Sequence, residues 1–562
     1  MVISNDYIAG QFSLLSKLMD IHGENSFKTK SYSIAAFTIE KLSEQLANLT
    51  QDKIFSIKGI GDNIGKKIMS ILQTGELVQL KECIKKTPPG VIEMLNIKGL
   101  GPKKIATIWK EMEIESIGEL LYACNENRLL LYKGFGEKTQ KSVRDTIEFY
   151  LKSQGSYLFA EAETFALQTD KKLKDKFAAN KFDLTGEFRR QLEIINKLEW
   201  VTTAGANELK TFFEQEGFKV EEEGDNKIAL RGDQNIQLIF HLATEQSFFS
   251  TLFRTTCSEE FLHAWKKETS WDASSNFPSE ENIFSSEKIH FIPPYQREEE
   301  TIIGTAKSKP LSGVIQPGDI KAIIHSHSNW SDGSNTIEEM AKACIDKGFE
   351  YLVISDHSKS AFYANGLTEE RIKEQHRNVD ELNEKLAPFK IFKSIESDIL
   401  NDGNLDYSDN ILSTFDLVIA SVHSNLKMSE EKAMMRLIRA IENPYTTILG
   451  HMTGRLLLSR PGYPVDHIKI VDACAANNVV IELNAHPRRL DIDWRWIKYA
   501  LEKNVLISVD PDAHYVSGYG DIRYGTLAAQ KAGLTKEKNL SSFSLSEFES
   551  FLSSQKTKKT KS

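Results

Sequence analysis

The stretch KAIIHSHSNWSDG, Lys321–Gly333, decides how the rest of the chain is read. An apolar-ended run of strand type, Lys321–Ile324, stops at a His-x-His pair. The turn Ser331-Asp332-Gly333 then returns a carboxylate beside it. Alternate residues of a strand share a face, so the rings of His325 and His327 are expected to point the same way, giving a cation two imidazoles and then Asp332. One such pair is weak evidence, because surface histidines are common. What gives it weight is recurrence.

From Ile320 onward seven short apolar runs each end on residues of ligand type. They are AIIHSH (His325, His327), YLVISDH (His357), IFKSIESD (Glu396), LVIASVH (His423), TILGH (His451), VVIELNAH (Asn484, His486) and VLISVDPDAH (Asp512, His514). Helical segments such as Thr336–Glu350, Glu430–Asn443 and Asp493–Asn504 lie between them. Strand followed by helix, repeated, predicts a parallel sheet closed or nearly closed into a barrel. In such a barrel the carboxyl ends of all strands meet at one mouth, so residues nearly two hundred positions apart share a site. Nine of the thirteen histidines fall between His325 and His514, too many for scattered surface rings. His376 and His467 lie in helical runs and read as bystanders.

At 562 residues the chain is too long for one core, and three or four domains are expected. No run of eighteen apolar residues occurs and MVISNDYIAGQ lacks a basic-then-apolar signal, which reads as a cytoplasmic protein without a membrane segment. The five cysteines are scattered without a CxxC, as reduced structural thiols are. The net charge of -9 is uneven: residues 1–150 hold 20 Lys+Arg against 18 Asp+Glu, leaving the acidic excess to the remainder. Nucleic-acid contact is therefore expected to begin in the first segment, through local patches.

Apolar residues at helical spacing, Ile8, Phe12, Leu15 and Leu18, then Tyr32, Ala35, Ala36 and Ile39, predict core helices. FSIKGIGDNIGKKI (Phe55–Ile68) places Gly59 and Gly61 before a helix carrying Lys66 and Lys67. The pattern returns in LNIKGLGPKKIATI (Leu95–Ile108), with Gly99, Gly101, Lys103 and Lys104, and in LYKGFGEKTQKSV (Leu131–Val143), with Gly134, Gly136 and Lys138. This is the helix-hairpin-helix signature: glycines permit the tight turn, and amides at the next helix N-terminus meet a phosphate oxygen. Such contacts fix register on DNA without reading its sequence and are salt-sensitive.

Residues 1–150, with NSFKTKSYSIAA (Asn25–Ala36), resemble the lyase-type domain and the start of the fingers of family X DNA polymerases. The resemblance implies that Lys67, eight residues after the first hairpin glycine, is the candidate for a Schiff base with an abasic sugar. FDLTGEFRRQLEIINKLEWVTT (Phe182–Thr203) lines up with that family's palm motif and keeps Gly186, Arg189 and Arg190. Its carboxylate positions hold Lys197, Glu199 and, on IQLIFHLA, Ile239. Two-metal phosphoryl transfer needs anionic ligands, so loss of polymerase activity is expected. Phe248–Lys267 and Ile292–Glu300 resemble the thumb region.

The segment after Ile320 resembles the polymerase-and-histidinol-phosphatase (PHP) phosphoesterase domain, and the chain as a whole resembles the bacterial family X polymerases that carry it. The expected fold is multidomain: a helical helix-hairpin-helix N-terminal region, an α+β polymerase-like palm and thumb, and an α/β PHP domain built as a distorted seven-stranded barrel. The expected divisions are 1–85, 86–150, 151–305, a linker 306–319, the PHP domain 320–545 and a basic tail 546–562, with Ser553–Ser562 expected to be disordered. The resemblance implies a trinuclear metal cluster held by His325, His327, Asp332, His357, Glu396, His423, His451, Asp512 and His514. Asp332, Glu396 and His451 are the expected catalytic members, and manganese is the favoured ion, with zinc or iron also fitting these donors.

Arg455, Arg488 and Arg489 are candidates to clamp the phosphate, and His486 to touch substrate. The expected activity is 3'-to-5' exonuclease action on gapped, recessed or abasic DNA, with abasic-site incision as an extension, by a monomer in base-excision repair. A non-catalytic DNA-binding scaffold and a small-molecule PHP phosphoesterase are the alternatives.

Overall fold

The computed structural model describes residues 3–559 except 41, 43, 98, 153–154 and 233–234. The chain divides into two compact units, Met1–Phe149 and Tyr150–Ser562. No helix among the described residues is long and apolar enough to cross a membrane.

The first unit is helical. Ile8, Phe12, Leu15 and Leu18 from Asn5–His22 are fully buried, as are Tyr32, Ala35, Ala36 and Ile39 from Ser26–Glu40 or nearly so. Three congruent turns follow. In each, an amide bonds back three residues: Ile60 to Ile57, Leu100 to Ile97 and Phe135 to Tyr132. Those three donors are buried and pin the turn to the core. The glycine before each has φ of +97° (Gly59), +93° (Gly99) and +97° (Gly134), a region costly for any residue with a Cβ.

The second unit begins with a mixed sheet in the order Phe182–Thr185, Lys197–Thr202, Gln237–Leu242, Lys227–Arg231, Lys219–Gly224. Lys197–Thr202 and Gln237–Leu242 run parallel, with Glu199 opposite Ile239. Helices Phe248–Thr256, Glu259–Glu268 and Glu280–Ser286 pack beyond it around Phe253, Trp265 and Phe284.

Seven parallel strands then form one sheet: Ala322–Ile323, Tyr351–Ile354, Lys390–Asp398, Leu417–Ser421, Ile448–Leu449, Val480–Asn484 and Ile507–Asp510, each beside its predecessor in sequence. The first and last meet through a single parallel bridge, Ser326 to Ala513, with the His327 amide donating to the Ala513 carbonyl at 2.9 Å. The barrel therefore closes only at its carboxyl end, where the candidate ligand residues lie.

Two expectations fail here. Residues 545–559 are a helix, and its Phe548 and Leu552 seal the opposite end of the barrel against Tyr351 and Phe392. Burial of one apolar stripe overrides the polar composition; residues 560–562 of the tail fall outside the described residues. The segment 306–319 is no free linker either. Its first residues end the helix Thr301–Ser308, and Ile315 is buried with its amide on the Leu534 carbonyl.

Candidate metal centre

Glu396 is the hub of the barrel mouth. Its Oε1 lies 3.0 Å from His451 Nε2, 3.1 Å from His423 Nε2 and 3.2 Å from His325 Nε2. Its Oε2 lies 2.9 Å from His357 Nδ1 and 3.6 Å from His327 Nε2. Five imidazoles from four strand ends thus surround one carboxylate that is 1% exposed. Burial alone would raise its pKa, but His423, His325 and His357 outweigh that and hold it well below the usual range.

Around the hub the donors form three overlapping groups: His325, His327 and Asp512; His327, Asp332, His357 and His514; and His357, Glu396 and His423. Asp512 Oδ1 stands 3.0 Å from His327 Nε2, and Asp332 lies 3.5 Å from His357 Nε2 and 3.6 Å from His514 Nε2. Burial, followed by His514 and His357, pushes His327 down to about 3, so its ring stays neutral and able to ligate.

The donors fit divalent cations. Buried His327 Nδ1 and Asp332 Oδ2 face this cluster and make no hydrogen bond, while His325 Nε2 and His357 Nδ1 meet only the carboxylates of the cluster itself. Buried polar atoms are nearly always paired, and lone pairs packed this closely need a positive charge between them.

The His-x-His argument needs correction. The first strand ends at Ile323 and His325 has φ of +57°, so the pair does not sit on a strand with alternate faces. The rings lie 5.3 Å apart because the backbone turns at the barrel seam. Asp512, across the same seam, has φ of +50°. Non-glycine residues in this region cost on the order of 1 kcal/mol or more and cluster at functional sites.

A second ring of acids, which the sequence did not single out, holds the candidate ligands by hydrogen bonds. Glu482 is fully buried; it accepts from His325 Nδ1 and, at 2.6 Å, from the His451 amide. Asp398 accepts from His423 Nδ1. Asp356 accepts from the Ser328 amide at 2.8 Å, the Ser331 amide at 3.2 Å and Gln375 at 2.6 Å, which shapes the loop that delivers Asp332. Asn484 donates to Asp512 Oδ2 at 3.0 Å. Fixing the second nitrogen of a ligand imidazole sets which nitrogen faces the metal.

The candidate arginines differ. Arg489 Nε lies 3.6 Å from Asp512 Oδ2, at the edge of the cluster. Arg488 reaches Glu161 of the preceding module at 2.9 Å. Arg455 donates from Nε to the Arg489 carbonyl, from Nη1 to Asp493 and from Nη2 to the Leu490 carbonyl, so it braces the loop instead of facing the mouth. His486 Nδ1 accepts from the Arg488 amide at 3.2 Å.

The helix-hairpin-helix domain family matches residues 3–77, the SAM-like helix-hairpin-helix tandem residues 91–148 and the PHP domain residues 324–486. The DNA polymerase/3'-5' exonuclease PolX of Bacillus subtilis (strain 168) is 33% identical over 555 residues, spanning 95% of this chain and 96% of that protein. The chain belongs to the bacterial PolX family. A probable phosphatase of Thermoanaerobacter sp. (strain X514) is 29% identical over 231 residues, 39% of this chain and 89% of its own. A probable phosphatase of Caldanaerobacter subterraneus subsp. tengcongensis is 31% identical over 170 residues, 28% of this chain and 60% of its own.

In this PolX-family chain the polymerase-like motif is tied up in ion pairs. Glu199 is 6% exposed and held by His241 Nε2 at 3.1 Å and Lys197 Nζ at 3.2 Å. Arg189 forms a two-bond pair with Glu280, and Arg190 pairs with Glu298 at 2.7 Å. In the first unit Gly59, Gly61, Gly99, Gly101, Gly134 and Gly136 are exposed at their turns, with Lys66 and Lys103 exposed and Lys104 partly so. Lys67 is half-buried with Nζ 5.9 Å from the Tyr32 ring centroid, and its pKa is lowered by burial and then by Lys28.

Proposed function

We propose that the barrel hydrolyses DNA phosphodiesters as a 3'-to-5' exonuclease, extending to incision at abasic sites, and that the rest of the chain holds the DNA. The observation that carries this is Glu396 ringed by five imidazoles in a chain that also bears three helix-hairpin-helix turns. Three divalent cations, with manganese favoured and zinc or iron compatible, would supply Lewis-acid activation of water and neutralise the scissile phosphate when bound.

The chain's own groups have separable tasks in this reading. Glu396 bridges the donor groups, with His451, His423, His325 and His357 around it. Asp332, His327 and His514 fill one side, and Asp512 the seam. Arg489 and Arg488 border the mouth as phosphate contacts.

The hairpins support sequence-independent binding to the DNA backbone. Gly61, Gly101 and Gly136 have nothing within 4 Å of where a Cβ would stand. Gly61 and Gly101 are extended, with φ of -79° and -89°. The fold itself does not demand a glycine there, and a phosphate approaching the helix amides does.

Polymerase activity is lost in this reading: the ammonium of Lys197 neutralises Glu199 and Ile239 offers no ligand. Half-buried Lys67 is the lyase amine. The protein acts as a cytoplasmic monomer in base-excision repair.

With manganese, wild type is expected to shorten single-stranded, recessed and abasic oligonucleotides, and Asp332→Ala to be slower by roughly 10²–10³-fold. Borohydride is expected to trap wild type but not Lys67→Ala on abasic DNA, and primer extension to be absent. Equal rates for wild type and Asp332→Ala would overturn the nuclease reading, robust extension the loss of polymerase.

The probable phosphatases among the relatives favour a second reading, hydrolysis of small phosphate esters. Greater turnover on a sugar phosphate than on oligonucleotides would select it.

A further inference from the structure

We propose that Phe362 is a stacking platform for a nucleobase of the strand being cut, and that it gives the barrel its preference for nucleic-acid ends over small phosphate esters. This rests on the reading of the barrel as a DNA nuclease. Among the described residues from 320 to 545 it is the one aromatic side chain counted with the exposed large apolar groups, at 78% exposure.

Its loop lies at the mouth because of where it is tied. Ser358 follows the ligand His357 directly, and its amide donates to the Glu396 carbonyl at 3.1 Å. Ser360 Oγ donates at 2.8 Å to Asp398, the acid that holds His423, and the Ser360 amide donates to Asp406 at 2.6 Å. On the other side Asn365 Nδ2 donates to the Trp330 carbonyl at 3.2 Å, in the loop that delivers Asp332. Phe362 is therefore carried between two ligand-bearing loops.

The loop is also rigid beneath the ring. Ala361, Ala364 and Leu367 are fully buried. Ser358 bridges Leu367, and at Gly366 a Cβ would stand 1.9 Å from the Ser358 carbonyl oxygen, so the two limbs touch. The exposure of Phe362 is thus built into the loop; the ring is held out while its neighbours are packed under it.

A phenyl ring offers a π-face and no hydrogen bond, which suits any base and reads none. Lys359, three residues ahead in the same loop, pairs with Glu369 at 3.6 Å, which leaves the ring and not a charge as the feature this loop presents.

The test is manganese-dependent digestion of two oligonucleotides of equal length, one with ordinary 3'-terminal nucleotides and one whose last two residues are tetrahydrofuran abasic analogues. For Phe362→Ala the KM on the ordinary oligonucleotide is expected to rise roughly tenfold, and on the abasic one to stay within about twofold. Phe362→Trp is expected to restore the ordinary KM, and melting temperatures to match wild type because the ring is exposed. An unchanged KM for Phe362→Ala, or an equal loss on both oligonucleotides, overturns the proposal. Wild type failing to digest either one instead removes the nuclease reading on which it stands.

Discussion

Glu482 sits beneath the candidate metal centre and ties two ligand loops together, through His325 Nδ1 on one side and the His451 amide on the other. Its second-nitrogen contact with His325 fixes the ring so that Nε2 faces Glu396 and Asp512. Glu482→Gln keeps the shape and loses the charge. Manganese affinity is expected to fall by about 10–100-fold, read by titration of the metal-free protein under conditions where the variant is folded. Unchanged affinity would reduce Glu482 to a packing residue. Most of the candidate ligands were legible because they follow an apolar strand at the end where a parallel barrel opens, and Glu396 because it stands near the carboxyl end of its strand, Lys390–Asp398. The supporting acids were not, since Glu482 lies inside a strand and Asp356 just ahead of a ligand. A signal existed: Glu482 is a lone acid within the apolar run VVIEL, at a position that alternates with Val480 and so faces the barrel interior. The strand-face argument for His325 and His327 picked residues that the structure does bring to the cluster, but the geometry that brings them there is a turn at the seam and not a shared strand face.

At the scale of elements, the three hairpins were legible from Gly-x-Gly recurrence, yet the structure separates them by charge. The helix after the second turn begins Pro102-Lys103-Lys104, without an acid in its first turn, whereas the others begin at Asp62 and Glu137. An anion at a helix N-terminus is favoured by free amides and nearby lysines and opposed by a carboxylate at the same place. The second hairpin should therefore be the strongest phosphate site. Gly101→Asn keeps a good N-cap while filling the space beside the amides. Its duplex affinity is expected to drop and its salt slope to fall by about 1, with a smaller change for Gly136→Asn. Equal slopes for both variants would refute this ranking. The final helix escaped the sequence reading because Ser, Gln, Thr and Lys dominate it, while the stripe that matters, Phe548, Leu552 and Gln555, supplies few apolar residues.

At the scale of the second unit, the palm-like module is bolted to the barrel by charges that the sequence could not pair across more than three hundred residues. Arg523 forms a two-bond pair with Glu163, and Arg488 reaches Glu161. Lys531 is the telling contact. Its side chain is fully buried, with Nζ donating at 2.8 Å to the Arg190 carbonyl, 3.5 Å from Glu298 and 4.8 Å from the Trp494 ring centroid. Burial, more than any neighbour, lowers its pKa from 10.5, so the folded state binds this proton less tightly than the unfolded chain does. Lys531 therefore weakens the fold at neutral pH, and stability rises as pH climbs from the lowered value toward 10.5. Glu298→Gln removes the carboxylate shared by Lys531 and Arg190 and leaves two poorly compensated cations. At pH 7 it is expected to destabilise the second unit by about 3–5 kcal/mol. The deficit relative to wild type should shrink by pH 10, because Lys531 can then shed its proton while Arg190 cannot. Urea midpoints for both proteins at the two pH values decide it: a deficit that stays constant or grows would mean that Lys531 is not carrying the buried charge.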